Sequence, residues 1–321
     1  MFNYLIISIL TDFYLNQVKI MPDNQALILI SIYLKISELY DFDLKYVCQR
    51  FSNNNEPEFT DQEVMTVFLY AMSQEERFTI SQIYKFTDRY LRSWFPKLPS
   101  YVAFNNRVNR LGEAFSRLCS ILLCDHKPVD CSLDFSLLDS MPIITCSGKR
   151  AGKVAREITN KGFCSTKNLY YYGLKLHALA FWRPNRLPFP ESLVLTPASE
   201  NDLNVFKQNW SGIRNRVFWG DKIYIDAPYF KQWESQTNSI MYTPVKHVKG
   251  TTDCIKQRDR ASDDLFSKAV STIREPIESL FNWFIQKSDI QRASKVRSTK
   301  GLIVHVFGRI AAAYIGLIFN S

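Results

Sequence analysis

The chain has 321 residues, of which 46% are hydrophobic, so a sizeable core can be buried and wholesale disorder is excluded. Only 11 residues are glycine, which argues against a glycine-rich nucleotide cradle, and the seven cysteines and four histidines show no zinc-type spacing, which points to free thiols in a reducing cytoplasm. Lys and Arg number 40 against 31 for Asp and Glu, a formal charge of +9 that favours a polyanionic partner, nucleic acid being the commonest.

The first stretch, residues 1–125, reads as a helical domain. Its opening apolar run, 5–10, is too short to span a bilayer and has no cleavage site behind it. Residues 26–39 are rich in helix formers. Thr60-Asp61-Gln62-Glu63 is a capping box before the apolar run 64–72. Residues 80–91 repeat apolar and aromatic side chains at helical spacing. Pro96 and Pro99 then break the chain, and Ser100 caps a last long helix over 101–123 that carries Arg107, Arg110 and Arg117.

After a short linker at 126–130 the pattern changes toward strands, and residues 130–321 read as a second domain. Strands are expected over 133–144, 168–182, 191–196, 216–219 and 239–243, with helices over 202–210, 229–237 and 277–287. The final apolar stretch, 301–319, contains His305 and Arg309, which favours a buried core helix over a membrane span. Three leading strands form a meander, while the later ones need helical crossovers and pair parallel. The fold class is therefore α/β: a mixed sheet flanked by helices, preceded by an all-α region.

Three acidic positions stand out. In SLDFSLLDSMPI, strand alternation puts Asp139 on the apolar face of Leu133, Phe135 and Leu137, with Asp134 opposite. A carboxylate there needs a partner or a cation, although an Asp close before Pro142 also suits a turn cap. Asp221 follows the apolar strand RVFW and Gly220, at the carboxyl end where open sheets bind ligands; Asp226, before Pro228, better suits a helix cap. Glu278 lies in the first turn of a helix opened by Pro276, beside a stripe of Ile277, Leu280, Phe281, Phe284 and Ile285. An acid in a first turn also complements the helix dipole. As a set, such oxygen ligands suit two magnesium or manganese ions, which clamp the attacking and leaving oxygens in phosphoryl transfer.

The successive runs LLDSMPI, YYYGLKLHALAF, FWGDKIYID and REPIESLFNWF resemble the DDE transposases of bacterial insertion sequences, over roughly residues 130–320. The resemblance implies a ribonuclease-H-like catalytic domain with Asp139, Asp221 and Glu278 as the acidic metal ligands. It implies cutting and joining of double-stranded DNA, at the element's terminal inverted repeats and at a target. It further implies at least a homodimer, acting in the bacterial cytoplasm on nucleoid DNA. Ile223 stands where members often carry glycine. A nuclease that cuts without joining, or a DNA-binding relative without catalysis, is the alternative.

Several basic positions are expected to face DNA. Lys149, Arg150 and Lys153 lie in a basic loop after the first strand. Lys175 and His177 alternate on the next one, sharing a face expected to lie near the carboxylates. Arg292, Lys295 and Arg297 follow the Glu278 helix. In the helical domain, Arg107 and Arg110 are the candidates for reading element ends.

Overall fold

The computed structural model describes residues 23–50, 57–149, 152–164, 167–245 and 253–319. The chain divides into two units: residues up to Cys119 together with Val306 onward, and Ser120–His305. The last helix thus belongs to the first unit, whereas the sequence pattern places it in the second domain.

In the first unit, α1 (Asp23–Leu39) continues through a π-helical turn, Tyr40–Leu44, and a final turn, Lys45–Cys48. Helix α2 (Asp61–Ser73) begins with a capping box, in which the Thr60 hydroxyl accepts the Glu63 N–H and the Glu63 carboxylate accepts the Thr60 N–H. Every residue from Val64 to Met72 is buried, so α2 is hydrophobic all round and forms the core of this unit. Thr79 and Gln82 cap α3 (Ile80–Tyr90) in the same way, and Ser100 caps α4 (Tyr101–Arg110). The helix expected over 101–123 is two helices. At Leu111 the backbone turns to φ −85°, ψ 18°, and α5 (Gly112–Asp125) starts afresh at a glycine, the poorest helix former after proline.

The helical stretch Thr299–Phe319 is long and apolar enough to cross a membrane. Its second part, Arg309–Phe319, packs on α2, with Arg309 to Ile315 buried and the Arg309 guanidinium donating to the Phe78 carbonyl. That is the environment of a core helix, in which the buried cation has a partner.

Asp61, at the start of α2, is buried and draws in three guanidiniums. Arg50 donates at 2.5 Å, Arg107 at 3.1 Å and Arg110 at 3.3 Å. Arg107 also lies over the Phe59 ring. Arg107 and Arg110, expected to face DNA, both donate to this desolvated carboxylate, Arg107 largely buried and Arg110 with a third of its side chain exposed.

The second unit is built on a six-stranded mixed sheet. Strand β1 (Phe135–Ser147) runs down its middle, and β2 (Asn160–Cys164), β3 (Leu169–Phe181) and β4 (Phe189–Pro197) lie to one side. β3 pairs antiparallel with β1 along nearly its whole length, and its other edge is shared between β2 at one end and β4 at the other. Gly173 allows the β1–β3 approach, since a Cβ there would sit 1.9 Å from the Ile143 carbonyl oxygen. After α6 (Asp202–Asn209), strand β5 (Val217–Trp219) returns parallel to β1, and after α7 (Ala227–Thr237), β6 (Ile240–Tyr242) returns parallel to β5. An aromatic cluster of Phe206, Trp210, Phe218, Tyr224 and Trp233 seals Leu138 and Leu179 of the sheet beneath α6 and α7. Then come α8 (Asp253–Arg274), α9 (Pro276–Ser288) and α10 (Thr299–Ile303).

Two of these elements are not expected from the sequence pattern. β2 is a short edge strand, NKGFC, whose polar residues read as loop. α8 is polar on average and carries only a thin apolar stripe, Phe266, Val270 and Ile273, of which Val270 is buried and Phe266 exposed.

Replacing Asp61 with Asn leaves three guanidiniums facing a neutral amide. The expected loss is about 3–5 kcal/mol, read by urea unfolding. A loss below about 1 kcal/mol, the level of an exposed pair, would show that the cluster does not hold the unit together.

Candidate active site

Asp139 sits in the body of β1, opposite Ala178 of β3, with its side chain 22% exposed. Each of its oxygens has a donor. Oδ1 accepts the backbone N–H of Ser140 at 2.8 Å, and Oδ2 accepts Nη1 of Arg274 at 2.8 Å. The same guanidinium donates through Nη2 to Oε1 of Glu278 at 2.7 Å. One cation therefore joins a carboxylate from the sheet to a carboxylate from a helix.

Local sequence explains that meeting. Arg274 ends α8, and Glu278 lies in the first turn of α9. Glu275 between them keeps helical angles, φ −46° and ψ −38°, and Pro276 occupies the first turn, where a missing N–H costs nothing. Four residues apart on near-continuous helix, Arg274 and Glu278 share a face. Ile277, Leu280, Phe281 and Phe284 bury the adjacent stripe.

Asp221 arrives from β5. The parallel β1–β5 ladder ends at Leu137 paired with Trp219, two residues before Asp139 on β1 and two residues before Asp221, which lies just past the end of β5. Asp221 is exposed, and its carboxylate accepts the N–H of Lys222, capping a 3₁₀ turn, Lys222–Tyr224. That turn brings the Tyr224 ring back over Gly220, where a Cβ would lie 2.6 Å from the ring. Ile223 is 41% exposed, so much of its side chain stands in solvent. The neighbouring acids are engaged elsewhere or point to solvent. Asp226 caps α7 through the Tyr229 N–H and pairs with Lys207 at 2.7 Å, while Asp134 and Glu275 are exposed.

Burial raises the Asp139 carboxyl to about 6. Arg274 and the Ser140 N–H oppose that rise, and the charges of Asp221 and Asp202 add to it. Asp202, which sequence reasoning passed over, opens α6 and is buried. It accepts from Ser140 Oγ at 3.0 Å and from Lys175 Nζ at 2.9 Å. In sequence it looks like any first-turn acid, and nothing marked it as buried. Arg274 was legible in principle, since it stands four residues before Glu278.

Lys175 and His177 are corrected by the same geometry. They pair with Pro142 and Ser140, the positions that alternate with Asp139, and so lie on the opposite face of the sheet. Lys175 is tied to Asp202 and to the Glu200 carbonyl. His177 is fully buried with Nε2 against Thr196 Oγ1 at 2.8 Å, and burial lowers its pKa to about 4, so it is neutral at neutral pH.

The other basic segments face solvent. Lys149, Lys153, Arg292, Lys295 and Arg297 are exposed; Arg150 lies outside the described residues. The Arg292 segment pairs with β1 at Ile144 and is joined to the loops after β1 through Lys167 and Glu157. Ile144 N–H donates to the Gln291 carbonyl at 2.8 Å, Ala293 N–H donates to the Ile144 carbonyl at 2.9 Å, and Lys167 donates to the Gln291 side chain. Thr299 donates to Glu157 across the same junction.

Among the described residues, no three Asp, Glu, His or Cys side chains are grouped closely enough to ligate an ion together. Asp139 and Glu278 meet through Arg274. The donor chemistry nevertheless fits a hard divalent cation, since the groups are carboxylate oxygens and a guanidinium already stands as a cation between two of them.

Residues 131–315 match the family model described as the transposase DDE domain. The match covers well over half of the chain, and the chain belongs to that family. Its mixed sheet flanked by helices is a ribonuclease-H-like fold, next to a helical N-terminal region. No curated protein and no solved structure matches the chain.

With the folded Asp139 carboxyl near 6 and the unfolded one near 3.8, the folded state holds its proton more tightly. The resulting stability is present below about pH 4 and is lost as pH rises toward 6. In metal-free buffer the parent should therefore lose stability relative to Asp139→Asn across that window, read by urea unfolding at several pH values. Parallel curves would contradict the assignment.

Proposed function

We propose that this member of the transposase DDE domain family holds two magnesium or manganese ions on Asp139, Asp221 and Glu278, and that it cuts and joins DNA. The observation that carries the reading is the Asp139–Arg274–Glu278 bridge, which gathers a strand carboxylate and a helix carboxylate on one cation. The β1–β5 ladder, which ends two residues before Asp139 and two residues before Asp221, supports it.

When bound, the ions supply Lewis acidity at the attacking and leaving oxygens of a phosphodiester. The chain's part is to aim oxygens. The Ser140 N–H fixes one oxygen of Asp139, and the other accepts from Arg274, whose second Nη donates to Glu278. The buried stripe of α9 fixes Glu278 against the sheet. The joined basic segments, with Lys149, Lys153, Arg292, Lys295 and Arg297, hold the DNA backbone by its phosphates. Water cuts a strand at the element end, which leaves a 3′-hydroxyl, and that hydroxyl then displaces an oxygen of a target phosphodiester. No protein nucleophile takes part. Two element ends must be held together, so the active form is at least a dimer, and it works on DNA in the cytoplasm.

The test is cleavage and joining of cognate element ends with magnesium. Asp139→Asn, Asp221→Asn and Glu278→Gln should each slow both steps roughly a hundredfold or more; parent-like rates in these variants would refute the site. Cutting without joining by the parent would make the protein a nuclease, and tight binding without reaction would make it a DNA-binding relative.

The surface has its own test. Reversing Lys149, Lys153, Arg292 and Lys295 to Glu should flatten the dependence of log affinity on log salt by about 0.9 for each phosphate no longer neutralised. An unchanged slope would remove these segments from the interface.

A further inference from the structure

We propose that Arg274 is a resident counter-ion of the Asp139–Glu278 pair, which gives up its seat when a divalent ion binds and thereby sets the metal affinity. This rests on the reading of the two carboxylates as metal ligands.

Asp139 and Glu278 come from different elements and would repel one another if bare. The guanidinium fork matches both, with one Nη on each carboxylate. It takes an oxygen that a bridging metal would use. Oδ1 of Asp139 already accepts the Ser140 N–H, and the oxygen on the Glu278 side of the bridge, Oδ2, is the one that Arg274 holds. A cation that bridges Asp139 Oδ2 and Glu278 Oε1 takes the position the guanidinium now fills and displaces it.

The seat is also one that Arg274 can leave. Its Nε has no hydrogen-bond partner among the described residues, so the two Nη hydrogen bonds are what hold the guanidinium. One of them goes to Glu278, whose side chain is 55% exposed, and exposed ion pairs are weak. The arrangement keeps the pair assembled without metal and makes metal binding an exchange of one cation for another.

The experiment is titration of the full-length protein with Mn²⁺, following the free ion by electron paramagnetic resonance, for the parent, Arg274→Gln, Arg274→Lys and Asp139→Asn. Circular dichroism establishes that each variant is folded. Removing the competing guanidinium should tighten Mn²⁺ binding about ten- to a hundredfold in Arg274→Gln, the worth of a charge-assisted hydrogen bond. Arg274→Lys, which cannot bridge both carboxylates, should fall between that variant and the parent. If Arg274→Gln binds Mn²⁺ no more tightly than the parent while Asp139→Asn loses binding, the carboxylate site stands and the counter-ion role is overturned. If Asp139→Asn binds as the parent does, the site itself is wrong and the inference falls with it. Should Arg274→Gln not fold, Arg274→Lys decides: tighter binding supports the exchange, and equal or weaker binding overturns it.

Discussion

A carboxylate in the body of a sheet strand is stable only if something positive meets it, and Asp139 is such a carboxylate. Burial pushes its proton affinity up, while Arg274 and a backbone N–H pull it back. Everything nearby is arranged around that need. The parallel return of β5 ends two residues before a second acid, Asp221. The α8–α9 junction, with a proline in its first turn, delivers the cation and a third acid four residues apart. On the reverse of the sheet, Ser140 and Asp202 anchor Lys175.

The same physics operates in the first unit, where Asp61 gathers Arg50, Arg107 and Arg110. Net charge alone does not distinguish an arginine that faces a phosphate from one that holds a buried acid. Arg107, Arg110 and Lys175 are engaged internally, whereas Lys149, Lys153, Arg292, Lys295 and Arg297 stand in solvent on two segments joined through Lys167 and Glu157. In this chain, proximity to a buried carboxylate decides which basic residues remain free for a polyanion.

Much of the fold was legible because the signals were local. The Thr60–Glu63 capping box, the Ser100 cap and the alternation in β1 and β3 depend on neighbours in sequence. The buried stripe that places Glu278 is of the same kind. What was not legible depends on partners far along the chain. The short polar strand β2 exists because β3 offers it an edge, and the helix α8 has an apolar stripe too thin to stand out among its charged residues. The face taken by His177 follows from pairing with Ser140, which one strand read alone does not reveal. Asp202 reads as an ordinary first-turn acid until the sheet buries it.

If Asp139, Asp221 and Glu278 surround a shared divalent-ion site, an ion seated there can be made to report its own neighbours. The full-length protein is loaded with Fe²⁺ in place of magnesium, and hydroxyl radicals are generated with ascorbate and peroxide. Radicals formed at the ion cut the backbone nearby, and the cut sites are then read by mass spectrometry. Cuts are expected in β1 around Asp139, after β5 around Asp221 and at the α8–α9 junction around Glu278, all suppressed by excess Mg²⁺. Cuts confined to other segments, or cuts at these segments that persist in Asp139→Asn, would contradict the shared site.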